Sequence, residues 1–222
     1  MDMKRLMVKM GLLVLAAGTL GGIAAPSVAS AKTKAKPTFT NTDLKRYYKS
    51  AKSKTAFYFK TYKSSGKTGT LLIFGDFNGA NANVKYGVPS SIKLSKNKRT
   101  LTTKYKLIEF KTKDNKTTTS LSKKNYTFKL AKKTSTTFST KVYGTKLNRR
   151  LATSGKSYTY TKTKTSPASA YAKKYVKPVM LKKYTEAFNS ASTLTAAQKK
   201  AYATEYTNTA VKTMISNFNY KA

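Results

Sequence analysis

The chain has no cysteine, no histidine and no tryptophan among its 222 residues, and only 7 acidic residues stand against 45 lysines and arginines. Each shortage removes a class of chemistry. Without histidine or cysteine, Ser-His-Asp and Cys-His nucleophile arrangements cannot be assembled, nor can zinc sites with the usual ligands. A glycosidase needs two carboxylates facing each other across a cleft. Beyond residue 31 the carboxylates are Asp43, Asp76, Glu109, Asp114, Glu186 and Glu205, and no spacing among them proposes a pair. Asp76 and Glu109 can meet on neighbouring strands, but among so many lysines a salt bridge is the simpler role. The expectation is a protein without enzymatic activity, metal or cofactor.

The first 31 residues read as a leader. Lys4, Arg5 and Lys9 form a basic start, Gly11 to Ala25 is apolar, and Ala29-Ser30-Ala31 satisfies the small-x-small rule for cleavage after Ala31. The apolar run is short and interrupted by Gly18, Gly21, Gly22 and Pro26, which suits a removed segment better than a retained span. The missing cysteine excludes a lipoprotein anchor. The terminal NFNYKA carries neither a hydrophobic tail nor an LPxTG-like sorting motif. The mature chain is therefore expected to begin at Lys32, to be secreted without a transmembrane anchor, and to be held at its cell non-covalently.

What is abundant is positive charge. Setting aside Lys4, Arg5, Lys9 and Asp2 leaves 42 basic and 6 acidic residues, a net +36 over residues 32–222. Charge of this size opposes compaction and favours polyanions through fast, salt-sensitive association. Solubility alone needs a net charge of only about 2 to 8. Only Arg46, Arg99, Arg149 and Arg150 of those 42 are arginine. Lysine is a hydrated point charge and not a bidentate fork, so loose adhesion to a phosphate polymer is favoured over recognition of one planar group.

Phe, Ile, Leu and Val make up 32 of residues 32–222, a low fraction for a folded chain. Sixteen tyrosines compensate. Tyrosine buries a large ring while keeping its hydroxyl at the water edge, and with threonine it forms strands well. In TLTTKYKLIEFK, residues 100–111, Leu101, Thr103, Tyr105 and Leu107 share one face, then Ile108 and Phe110 take the other parity. A bulge or bend near Leu107 is predicted, where a sheet turns to close. Further strand signals are Thr55–Tyr62, Thr68–Asp76 (apolar on both parities and so central), Val84–Val88, Ser91–Ser95, and the alternations around Phe128, Phe138 and Tyr158–Tyr160. Pro89 should interrupt a ladder. Lys96-Asn97-Lys98 and Lys113-Asp114-Asn115-Lys116 read as hairpin tips, as do Ser64-Ser65-Gly66 and Ser154-Gly155 as turns.

Helical signals flank this region. NTDLKRYYKSAK, residues 41–52, reads as a short helix capped by Asn41 or Thr42. Ser166-Pro167 opens another, which Pro178 should end or kink, giving two pieces, Pro167–Lys177 and Pro178–Asn189. Thr195 with Gln198 is a capping box opening a helix to about Phe218, with Ala197, Thr204, Val211, Met214, Ile215 and Phe218 as its buried stripe. The expected organisation is a leader at 1–31, a basic segment with a short helix at 32–51, a β domain at 52–165 and C-terminal helices at 166–222. The fold class is α+β, an antiparallel β-sandwich or small β-barrel of seven or eight strands followed by a helical part.

Fragments that mimic phosphate-binding loops, Gly66-Lys67-Thr68 and Gly155-Lys156-Ser157, lack the earlier glycine and precede strands. Ser64-x-x-Lys67 and Lys67-Thr68-Gly69 echo β-lactamase motifs but share one lysine, with no Ser-Asp-Asn following. The candidate binding residues are basic clusters at strand ends: Lys96, Lys98 and Arg99; Lys123 and Lys124; Lys132 and Lys133; Arg149 and Arg150. If their tips share one end of the sheet they form a focused basic face; singly, such lysines also serve to blunt edges.

The Ala29-Ser30-Ala31-Lys32 junction, the cysteine- and tryptophan-free chain, and segments such as Thr100–Lys111 and Asn125–Leu130 resemble, in style, the small secreted Lys/Tyr/Thr-rich surface proteins of lactobacilli. That resemblance implies an extracellular, wall-associated protein held by charge to anionic wall polymers, and it carries no functional residue. The partner expected is a teichoic-acid-like cell-envelope polymer. Nucleic acid would bind on charge alone and is not expected to be physiological. One alternative is a lipocalin-like barrel holding an apolar ligand among Phe57, Phe59, Leu71, Ile73, Tyr105 and Leu107. Another is a membrane-active antibacterial helix pair within Pro167–Phe218, using Lys173, Lys174, Lys177, Lys182 and Lys183.

Overall fold

The computed structural model describes residues 36–64, 67–143 and 158–220. The leader with Ala29 and Ala31, the turn at Ser65-Gly66, Arg149, Arg150 and the Ser154-Gly155 turn lie outside the described residues. The strands are β1 Tyr47–Ser50, β2 Thr55–Ser64, β3 Lys67–Asp76, β4 Asn83–Leu94, β5 Thr100–Lys113, β6 Lys116–Leu121, β7 Tyr126–Lys132, β8 Thr137–Tyr143 and β9 Tyr158–Thr163. The helices are α1 Asn41–Leu44, α2 Ala168–Tyr171, α3 Lys177–Asn189 and α4 Ala196–Phe218, with a 3-10 turn at Gly79–Asn81 and a π turn at Ala172–Val176.

All pairings are antiparallel, in the order β4-β3-β2-β1-β9-β8-β7-β5-β6, and β4 also pairs with β5, so eight strands close into a barrel and β6 is an added ninth. Of the two architectures expected, the barrel is the one formed. Its axis is occupied by rings. β2 and β7 lie four strands apart whichever way round the barrel one counts, yet the Phe57 and Phe128 ring centroids are 4.9 Å apart. Tyr160 lies 5.1 Å from Phe57, and Phe74 5.8 Å from Phe128. The interior tyrosines keep their hydroxyls bonded: Tyr48 donates to the Asp43 carbonyl at 2.8 Å, and Tyr160 shares a 2.6 Å bond with the Thr55 hydroxyl. Burial pushes both phenols well above their ordinary range.

β5 accounts for the change of phase in its sequence. Residues 100–105 pair with β7, and residues 108–113 pair with β6. Leu107 still faces the barrel interior, whereas Ile108 belongs to the apolar layer outside it. The register shift falls on the neighbour instead, between Pro89 and Ser91 of β4. β4 is thus one continuous strand in which Pro89 marks an irregularity rather than a break. The tip at Asp114-Asn115 has positive φ at both residues, the geometry of a two-residue hairpin whose twist matches its strands.

The outer faces of β2, β3 and the first half of β4 carry the second core. Ala56, Tyr58, Leu71, Ile73 and Tyr86 pack there against Tyr171, Val176, Val211, Met214 and Phe218 of the helical part. Leu71 and Ile73, included above among ligand-lining candidates, therefore face away from Phe57, Phe59, Tyr105 and Leu107. Tyr58 and Tyr86 donate to the carbonyls of Phe218 and Asn217, which satisfies acceptors left open at the end of α4.

Two helical expectations are corrected and a third is refined. The segment 41–52 forms only one helical turn, capped by Thr40, and Tyr47–Ser50 is a strand that closes the barrel between β2 and β9. Alternation of Tyr48 inward and Tyr47 outward outweighs local helix propensity. Before Pro178, which cannot donate a backbone hydrogen bond, the helix widens into the π turn instead of ending. In α4 the capping box forms as expected, but the buried stripe is Ala203, Thr207, Val211, Met214 and Phe218, while Ala197 and Thr204 are exposed.

A glycine fixes how closely the helix seats. A Cβ built on Gly75 would lie 2.7 Å from both Phe218 Cδ2 and Phe77 Cε2, so Phe218 packs on bare backbone. Gly75→Ala is expected to displace Phe218 and cost about 1–3 kcal/mol, read as a lowered urea midpoint. An unchanged midpoint would show that the helix end has room to shift.

Candidate functional site

Among the described residues, the basic clusters at the strand ends divide between the two ends of the barrel. Phe39 N–H donates to the Lys98 carbonyl at 2.7 Å, Lys132 N–H to the Arg99 carbonyl at 2.9 Å, and Lys162 N–H to the Thr136 carbonyl at 3.0 Å. These bonds gather the β4–β5 tip, the β7–β8 tip and the N-terminal segment at one end of the barrel. Lys96, Lys98 and Lys133 are exposed there, and Arg99 is half-buried. Lys123 and Lys124 precede β7, whose other terminus is Lys132, and so lie at the opposite end.

Lys132 is not a surface cation. Its ammonium is 2.7 Å from the Asp43 carboxylate and 2.7 Å from the Thr38 carbonyl, and Lys162 reaches the other Asp43 oxygen at 2.6 Å. Asp43 is fully buried. Burial alone would raise its pKa, but the bonds from Lys132, Lys162 and the Thr40 N–H outweigh it and hold the carboxyl below its ordinary 3.8. The segment Thr38–Leu44 thus plugs the barrel end: Phe39 packs 5.7 Å from Phe138, and the ammonium groups of Lys132 and Lys162 lie 5.9 and 5.8 Å from the same ring. No spacing in sequence signals this arrangement.

The basic feature that topology creates is a sheet face. Across the barrel from the helices, outward residues of β4, β5, β7, β8 and β9 fall into register. Lys93 pairs with Thr102, Thr102 with Lys129, and Lys129 with Lys141; one step along, Ser91 pairs with Lys104 and Lys104 with Thr127. Lys93, Lys104, Lys129 and Lys141 are exposed. Thr159 and Thr161 continue the face on β9 through their pairs Ser139 and Thr137. No acidic residue occurs in 91–94, 100–106, 126–132, 137–143 or 158–163. Lysines directly opposite in a ladder, with Cβ atoms about 4.5–5.5 Å apart, repel and cost about 0.2–1 kcal/mol. On a hydroxyl-lined cationic surface of this kind, ammonium and threonine groups can donate together to phosphate oxygens.

Asp76 and Glu109 do not form a site, because β4 lies between β3 and β5. The lysine ladder was hidden because its members are 11 to 48 positions apart and each, read alone, is a solvated strand lysine. The outward parity of β7 and β8 was legible, but the order β5-β7-β8 was not. Comparison with protein-family models, with curated proteins and with solved structures finds no match in any of the three.

Proposed function

We propose that the protein is a non-catalytic surface protein that adheres to anionic cell-envelope polymers through dispersed lysines. The observation that carries this reading is the outward lysine and threonine face, on which Lys93, Lys104 and Lys141 are exposed on strand segments that contain no acidic residue. An extended phosphate polymer laid across the strands would meet ammonium and hydroxyl donors together, and each neutralised phosphate would release a counterion. The leader-like first 31 residues support an extracellular setting. The ring contact between Phe57 and Phe128 makes the interior a poorer place for a ligand than the outside.

The test is binding to purified cell walls, with and without their teichoic acid, and to polyphosphate across a salt series. Affinity should fall linearly in log[salt]. In Lys104→Ser/Lys129→Ser/Lys141→Ser the slope should shrink by about 0.7 for each lysine that neutralised a phosphate. The tip variant Lys96→Ser/Lys98→Ser/Lys133→Ser should lose less. Binding indifferent to salt, or a triple variant that binds as the parent does, would overturn the reading.

A further inference from the structure

We propose that the α3–α4 hairpin is a docking arm for an anionic lipid surface, independent of the lysine face. Four of the five large apolar side chains found exposed among the described residues belong to it: Val179, Leu181, Tyr202 and Tyr206. α3 has no buried residue along its whole length, and residues 196–202 of α4 have none either. The two helices hold each other by a seam of rings, Tyr184 with Tyr206 at 5.7 Å, Phe188 with Tyr202 at 5.8 Å and Phe188 with Tyr206 at 5.4 Å. Tyr206 is nonetheless 53 % exposed.

The charge around the seam selects its occupant. Residues 177–206, which hold the seam, contain Lys177, Lys182, Lys183, Lys199 and Lys200 against the two acids Glu186 and Glu205. A second copy of the arm would bring five lysines against five. A soluble anion would use the lysines and leave the rings wet. An anionic bilayer surface takes both, since tyrosine rings settle at headgroup depth and lysines on flexible stems reach the phosphates. No helix among the described residues is long and apolar enough to cross a membrane, so this arm lies on the surface. α4 packs against β3 and β4, and β3 stands four strands from β8 in either direction round the barrel. The lysine face and the arm therefore point to opposite sides, and both can be engaged at once.

Because the chain has no tryptophan, Tyr206→Trp supplies a single fluorescent probe in the seam. The probe variant of the whole protein is titrated with vesicles of phosphatidylcholine, and of phosphatidylcholine carrying a minority of phosphatidylglycerol, with brominated acyl chains as quencher. The expected result is a blue shift and quenching on anionic vesicles only. Adding Leu181→Ser/Tyr202→Ser should weaken partitioning about tenfold, whereas Lys104→Ser/Lys129→Ser/Lys141→Ser should leave the shift intact. Co-sedimentation without shift or quenching would mean adsorption by charge alone and would overturn the proposal. So would a shift that appears without vesicles as protein concentration rises, which would identify a second copy as the occupant. If the Leu181→Ser/Tyr202→Ser arm loses its helicity, the quenching of the parent probe decides alone. Failure of the parent protein to bind polyphosphate, with its lipid response preserved, would count against the polymer reading and leave this one standing.

Discussion

Asp43→Ala is expected to lower the unfolding free energy by about 3–5 kcal/mol, because it strands two ammonium groups in a nearly dry barrel end. Lys132 has a side chain only 6 % exposed and Lys162 23 %, and both lie within 2.7 Å of the carboxylate. Asp43 also accepts from the Thr40 backbone and hydroxyl and offers its carbonyl to Tyr48, so the plug and the barrel wall loosen together. The pH dependence follows from the depressed carboxyl. In the unfolded chain this group binds a proton at higher pH than in the folded one. Its stabilisation is therefore complete above the ordinary value of 3.8 and is lost as pH falls from there through the lower folded value. Urea midpoints should be insensitive to this group from neutrality to about pH 5 and decline below it. Asp43→Asn keeps the shape and should be less stable at neutrality, with a shallower acid decline. Parallel pH profiles for the two proteins would refute the assignment of the acid limb to Asp43.

Phe57→Ala should be comparably damaging, about 3–5 kcal/mol, because it removes the ring that joins opposite walls of the barrel. Phe57 is fully buried and touches Tyr48, Phe74, Phe128 and Tyr160, rings from four other strands. Phe110→Ala, on the exposed end of β5, should change stability by no more than about 0.5 kcal/mol. The truncated barrel should also acquire a dry apolar cavity on its axis, so benzene should raise the melting temperature of Phe57→Ala and leave the parent unchanged. A similar rise in the parent would mean that space already exists beside these rings, and the interior-ligand alternative would gain weight over the polymer reading.

Much of the barrel was legible because a strand with one wet and one dry face writes its period into the chain. Tyr126, Phe128 and Leu130 are inward as their alternation implied, and β3 is apolar on both parities because it lies between the ring-filled interior and the helical layer. Tyr47–Ser50 misled because four residues are too few for a period to outweigh a helix cap just before them. Ala197 and Thr204 misled for a related reason: helical spacing places residues on a stripe but does not say how far along the helix a partner extends. The basic residues were the hardest to place. Lys132 and Lys133 are adjacent in sequence, yet one is buried against Asp43 and the other is exposed at the rim.

The sequence by itself excluded catalytic arrangements built on histidine or cysteine and set the excess of positive charge, the tyrosine-rich makeup of the core and the inward and outward faces of the longer strands. These depend on residue type and on spacing within a few positions. The tertiary structure decided closure of the barrel through β4 and β5, the meeting of Asp43 with Lys132 and Lys162 across 89 and 119 positions, and the alignment of Lys93, Lys104, Lys129 and Lys141 on one wall. Each of these joins residues whose separation along the chain says nothing about their separation in space, and only the order of strands brings them together.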